Sequence, residues 1–208
     1  MCKLIWPSLQ DHIYFSVIAE ADASVSYSSL YHDYSKLQQA SKEYEQGTGP
    51  LTAPVGLAFG FEKASSETLA SVGASAITTQ GRSDQAHIEY LYETNYYPNL
   101  PTPQYSSKEY NTSYVSFTAA ILAPMSRGTV SVLSNSLSDP PQIDPQYYTT
   151  PEDIALALHS FKQLRRVLAS YAQHNFTIGR NSGEVAPGAK VQTDEEILDY
   201  IRETAVPV

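Results

Sequence analysis

Over residues 114–122, Tyr114, Ser116 and Thr118 alternate with Val115, Phe117 and Ala119, a period of two that predicts a half-buried strand. The same alternation recurs in two other places. His12, Tyr14, Ser16 and Ile18 face Ile13, Phe15, Val17 and Ala19, and within 85–93 His87, Glu89 and Leu91 face Ile88, Tyr90 and Tyr92. Pro124 cannot donate to a ladder and ends the 114–122 strand, and Gly128 allows a turn into a further strand over 129–133, so a β-hairpin is expected there. The prolines at 140, 141 and 145 then exclude regular helix or central strand and predict an extended crossing segment.

Beyond that segment the period changes. Ile154, Leu158, Phe161, Leu164, Leu168 and Tyr171 recur at three and four residues, the apolar stripe of a long amphipathic helix. Thr150 stands as its N-cap, Pro151 at its first position, and Glu152 and Asp153 in its first turn, where carboxylates favour the helix dipole. A second helix is expected over 31–46, ended by Gly47, and a last one after the capping box Thr193–Glu196, with Ile197, Tyr200 and Ile201 on its apolar side. Residues 51–61 are apolar but broken by Pro54, Gly56 and Gly60, which predicts an irregular pocket-lining loop. Pro98, Pro101 and Pro103 make 96–110 a surface loop or lid. With no repeat and no dividing linker, the expectation is one α+β domain over 1–208, a mainly antiparallel sheet with helices packed on one face.

Composition narrows the function classes. A chain of 208 residues can bury a sizeable core, and no apolar run approaches the twenty residues of a membrane span. The net charge of −9 argues against nucleic acid as partner. A single cysteine, Cys2, excludes an internal disulfide, and the short apolar start makes a poor secretory leader, so the expected location is cytoplasmic and the sequons at Asn111 and Asn175 are expected to be unmodified. His12, His32, His87, His159 and His174 show no metal-ligand spacing, and no Gly-x-Ser-x-Gly elbow is present.

Chemistry is then to be sought on the polar edges of the strands. Brought side by side, they would form a wall of hydrogen-bonding groups in an aromatic setting, since the chain has sixteen tyrosines and six phenylalanines. His87 and Glu89, two apart on one face, are the first acid–base candidates, and His12 a third. Tyr14, Ser16, Tyr90, Tyr114 and Ser116 are the candidate substrate contacts. Simple solvation of a polar strand face is the alternative reading of each.

Several strings carry a resemblance. Pro124-Met125-Ser126-Arg127-Gly128-Thr129-Val130, then Ser138-Asp139-Pro140, Ile143-Asp144-Pro145, Tyr147 and Pro151-Glu152-Asp153-Ile154, resemble the substrate-domain signature of glucose-methanol-choline (GMC) oxidoreductases. Ser8-Leu9-Gln10-Asp11-His12 is similar to the family's Asn-Leu-Gln-Asp-His segment, with Ser8 in place of asparagine, and the Gly49-Pro50-Leu51-Thr52 turn also fits. The variety most resembled is that of fungal secondary-metabolite dehydrogenases. The resemblance implies a substrate cavity near 51–61, a place against the flavin for the His12 motif, and a structural role for Arg127.

The family's flavin loop, Gly-x-Gly-x-x-Gly between a strand and a helix, has no counterpart in this sequence: Gly47-x-Gly49 is followed by Thr52 and reads as a plain turn. The family's His-Pro segment, which takes the substrate proton, would begin about where Val208 stands. The expectation is therefore a flavin-free protein that binds a hydrophobic biosynthetic intermediate and promotes a non-redox cyclisation or isomerisation, by holding a reactive conformer and supplying hydrogen bonds. Two alternatives stand beside it: the substrate-binding part of an oxidoreductase whose FAD sits on a separate flavoprotein partner, and a truncated remnant without activity. Loss of a flavin domain would bare an apolar face, for which a homodimer is one expected cover.

Overall fold

In the computed structural model, residues 5–28, 30, 33–53, 56–79, 84–97, 112–174 and 183–207 are described. Most of the proline-rich 96–110 segment, together with Cys2, His32, Asn111 and Asn175, lies outside them. The strands divide into two antiparallel sheets. The larger contains β2 (Ile13–Glu20), β3 (Gly56–Glu62), β4 (Ile88–Glu93), β5 (Tyr114–Ile121) and β8 (Glu184–Ala186) in the order β3-β4-β5-β2-β8, with β9 (Val206–Pro207) also on β2. The smaller has the order β1-β6-β7, from Ile5–Leu9, Gly128–Ser131 and Gln142–Asp144.

Register fixes which side chains share a face. β2 and β5 pair from Ile13↔Ile121 to Glu20↔Tyr114, and β4 pairs with β5 from Ile88↔Ile121 to Glu93↔Ser116. Partners across an antiparallel ladder lie on the same side, so Ile13, Phe15, Val17, Ala19, Val115, Phe117, Ala119, Ile88, Tyr90 and Tyr92 form one face. Tyr14, Ser16, Ile18, Ser116, Thr118, Ala120, Glu89, Leu91 and Glu93 form the other.

The first face is the core side. It is covered by α3 (Pro151–Gln173), whose Leu156, Ala157, Phe161, Leu164 and Leu168 are fully buried against it. Phe161 meets Phe15 at 6.3 Å between ring centroids, and Tyr171 meets Phe117 edge-on at 5.3 Å. Each such apolar side chain contributes about 1.5–3 kcal/mol through burial alone. Thr150 caps the helix by accepting from the Asp153 amide, as its sequence start predicts. α4 (Asp194–Thr204) begins with the expected capping box, buries Ile197 and Ile201, and sends the Tyr200 hydroxyl to the Ser16 carbonyl at 2.9 Å. Arg165 of α3 reaches Glu184 of β8 with two bonds, of 3.1 and 2.7 Å, and lies 4.9 Å over the Phe161 ring. Two further helices among the described residues are smaller: α1 (Tyr34–Glu45) buries only Ala40, and α2 (Ser66–Val72) buries Leu69. Among the described residues no helix is long and apolar enough to cross a membrane.

Two local expectations are corrected. The strands on either side of Pro124 do not form a hairpin: β5 belongs to the large sheet and β6 to the small one. The bend at 124–127 is pinned by side chains, described below, so the chain changes sheet instead of folding back. Residues 51–61 are not an irregular loop throughout, because Gly56–Glu62 is the edge strand β3. Gly60, opposite Tyr90, leaves ladder geometry intact, and an edge strand needs pairing on one side only.

Candidate functional site

Where β5 ends, the family-like string builds a structural clasp. The Asp153 carboxylate is buried and accepts from the amides of Met125 and Ser126, each at 2.7 Å, and from the Ser126 hydroxyl. That hydroxyl oxygen in turn accepts from the Thr149 and Thr150 amides. Arg127 donates to the carbonyls of Pro124 at 2.6 Å and Ser126 at 2.9 Å, which agrees with a structural role. Gly128 is obligatory for lack of space, because a Cβ there would stand 2.2 Å from the Asp144 carbonyl oxygen. The Leu9–His12 segment docks on this clasp: Gln10 donates to the Pro124 carbonyl and Tyr147 donates to Asp11 at 2.7 Å. Tyr148 sits beneath it with φ of 53° and a buried hydroxyl that meets no partner.

The second face of the large sheet has a different character. Ser16 and Thr118, both 1% exposed, are neighbours across β2 and β5 with their hydroxyls 2.8 Å apart, and Thr118 donates onward to Glu93 at 2.9 Å. Burial pushes the Glu93 carboxyl up to about 7, against which the Thr118 bond gives only partial relief. Opposite Glu93, the Ser116 hydroxyl receives the Tyr97 amide and donates to the Asn95 carbonyl, both at 2.8 Å. Aromatic rings flank this polar line. Tyr97 stacks on Tyr14 with centroids 5.5 Å apart, and Tyr96 meets Tyr114 edge-on at 5.3 Å. At the β3 edge of the same face, Phe59 and Phe61 are 61% and 66% exposed. The arrangement offers a hydroxyl–carboxyl line between aromatic surfaces, suited to a hydrophobic ligand that carries oxygen functions.

Of the sequence candidates, Tyr14, Ser16, Glu89, Tyr114 and Ser116 are brought to this one face. His87 precedes β4 at its start, and its main chain joins the ladder through Glu62 and Leu122. It is 5% exposed, its Nδ1 has no partner, and burial first and then Lys63 push its pKa down, which favours the neutral ring. No hydrogen bond or ion pair joins His87 to Glu89 among the described residues. His12 is exposed at the clasp, apart from the sheet face. Tyr90 lies on the other side: its register partner is Ala119 of the core face, and its hydroxyl donates to Glu62 at 2.7 Å. Strict alternation along β4 separates it from Glu89 by the thickness of the sheet. Thr118 and Glu93 are the site residues that sequence reading left out. The signal was available, since Glu93 continues the series His87, Glu89, Leu91.

The one glycine pair that could be compared with a flavin loop does not fit a pyrophosphate. Gly47 and Gly49 follow the carboxyl end of α1, where helix carbonyls point outward, and a Cβ on Gly49 would lie 2.4 Å from the Glu43 carboxylate oxygen. An anion would meet negative charge there. Among the described residues no group of three His, Cys, Asp or Glu is placed to hold a metal ion.

The sheet order, the clasp and the polar sheet face together define a known kind of domain. Residues 124–208 match the family model described as GMC oxidoreductase, the family that the strings at 124–130 and 138–154 resemble. Among curated relatives it is similar to versicolorin B synthase of Aspergillus parasiticus, with 36% identity over 86% of this chain and 26% of that protein. It is likewise similar to dehydrogenase pkfF of Emericella nidulans, with 33% identity over 95% of this chain and 31% of the relative. The chain thus spans about a quarter to a third of the length of these relatives. Formate oxidase of Aspergillus oryzae superposes with a TM-score of 0.72 at 14% identity, over 96% of this chain and 35% of that one, which shows the shared α+β fold.

Proposed function

We propose that this chain is the substrate-handling part of a GMC-derived protein of secondary metabolism, and that it promotes a non-redox cyclisation or isomerisation of a hydrophobic, oxygen-bearing intermediate. The observation that carries this reading is the buried line Ser16–Thr118–Glu93 between aromatic rings on one sheet face. Ring closure by an oxygen nucleophile requires a bound conformer and a group that accepts one proton, and it moves no electrons to an acceptor. The relative whose printed name is a synthase supports the same direction.

One observation favours a second reading. Phe59 and Phe61 stand largely exposed at the margin of the same face, as expected if a flavin-bearing domain on another polypeptide closes over it. The chain would then be the substrate wall of a FAD-dependent dehydrogenase or oxidase, as the name of the second relative suggests.

The deciding experiment uses the purified chain. We expect a colourless protein that binds 2-naphthol saturably without added FAD, and that loses most of this affinity on Tyr14→Ala. A yellow protein, or naphthol binding that appears only with FAD or a flavoprotein present, overturns the flavin-free reading in favour of the second.

A further inference from the structure

We propose that Glu93 takes up and returns a proton of the bound ligand, with Thr118 and Ser16 behind it as a chain whose hydrogen bonds reverse direction with each transfer. The inference rests on the substrate-face reading above and assigns the proton-handling group within it. The ligand class is a planar aromatic bearing a hydroxyl.

The geometry leaves few alternatives. An ionised carboxylate only accepts, so the bond at 2.9 Å uses the single proton of Thr118. Ser16, 2.8 Å behind, must then donate to Thr118. Once Glu93 is protonated it can donate to Thr118, whose proton rotates toward Ser16, and no heavy atom has to move. The carboxyl therefore keeps a hydrogen bond in both states, a requirement for cycling a buried acid without a large penalty in either. Exposure sets the direction of approach: Glu93 is 8% exposed and Ser16 and Thr118 1% each, so of the three residues Glu93 lies on the ligand side.

Among the described residues nothing of opposite charge holds Glu93 ionised. The titratable groups on its face are Glu89 and His87 on its own strand or just before it, Tyr14 and Glu20 from β2, Tyr114 from β5, and Tyr96 and Tyr97 from the segment after β4. Of these only His87 can carry positive charge, and burial, with Lys63 beside it, pushes its pKa down. A carboxyl pushed up to about 7 is matched to proton exchange near neutral pH. In the transfer the ligand O–H bond breaks, an O–H bond forms on Glu93, and the negative charge passes to the ligand oxygen. After that oxygen closes the ring, the same proton returns to the atom that received the electron pair.

The test is a pH titration of the full chain with carboxyl-labelled glutamate, followed by carbon NMR, alongside 2-naphthol binding about one pH unit either side of neutral. One carboxyl resonance should titrate near neutrality and vanish in Glu93→Gln. The wild type should bind naphthol roughly tenfold more weakly on the acid side, following the ionised fraction of Glu93, while Glu93→Gln shows no such change. Naphthol affinity that is the same at both pH values, or glutamates that all titrate in the ordinary range, overturns the proposal and leaves the substrate face standing. No naphthol binding at any pH overturns both.

Discussion

Asp153 in the clasp and Glu93 on the sheet face are both buried carboxylic acids reached by a neighbouring hydroxyl, and they have opposite surroundings. Asp153, the deeper of the two, accepts from two backbone amides and from Ser126. Glu93 has Thr118 as its donor, and burial dominates its protonation. Asp153 is met by two N–H groups and a hydroxyl, each of which compensates for lost water, whereas Glu93 is met by one hydroxyl. The clasp therefore joins two sheets and a helix start as a permanent fixture, whereas the sheet face holds an acid free to change state.

The comparison can be broken most severely at the clasp. Asp153→Ala strands three donors in the interior and should cost about 3–5 kcal/mol in denaturant unfolding. If the loss is below about 1 kcal/mol, the clasp is not what holds β5, β6 and α3 together. Next in size is a pH effect at Glu93. Its folded value of about 7 lies above the ordinary 4.5, so the fold binds this proton more tightly than the unfolded chain does. The associated stability is fully present below about pH 4.5 and is lost as pH rises through about 7, by about 3 kcal/mol at most. Glu93→Gln should abolish that decline, and parallel pH–stability curves for the two proteins would contradict the account.

A smaller change sharpens the contrast from the donor side. Thr118→Val removes the hydroxyl at nearly constant shape, so the Glu93 carboxyl should titrate still higher by NMR, with a stability loss of about 1–2 kcal/mol. The smallest effect belongs to a site remote from both carboxyls. Thr193→Ala breaks the capping box of α4 and should cost about 1 kcal/mol, with no movement of the Glu93 titration.

Much of this architecture could be read from side-chain periodicity. The alternations in β2, β4 and β5 are local, and they place Tyr14, Ser16, Glu89, Tyr114 and Ser116 on one face once the strands are neighbours. Helix α3 follows from its own cap and stripe. What periodicity does not contain is partnership. The turn at Ser126-Arg127-Gly128 looks like a hairpin until Asp153, 27 residues on from Ser126, is seen to hold it. Residues 56–62 become a strand only because β4 offers an edge. Tyr90 is the converse case, where alternation was sufficient to exclude it from the company of Glu89. Glu93 needed both kinds of information: its face was visible in the sequence, but its elevated carboxyl depends on the depth to which β5 and the 94–97 segment bury it.

Strand β2 pairs with β5 on one side and with β8 and β9 on the other, so that Ile13 lies opposite Pro207. During synthesis at about 5–20 residues per second, the edge of β2 that awaits those partners stays open for about 10–40 seconds, until the residues near Val206 leave the ribosome. An apolar strand left unpaired for that long is a template for contacts with other chains. The sheet is thus closed by residues far downstream of the strand they cover, and its yield in a cell depends on what shields β2 while that stretch is still being translated.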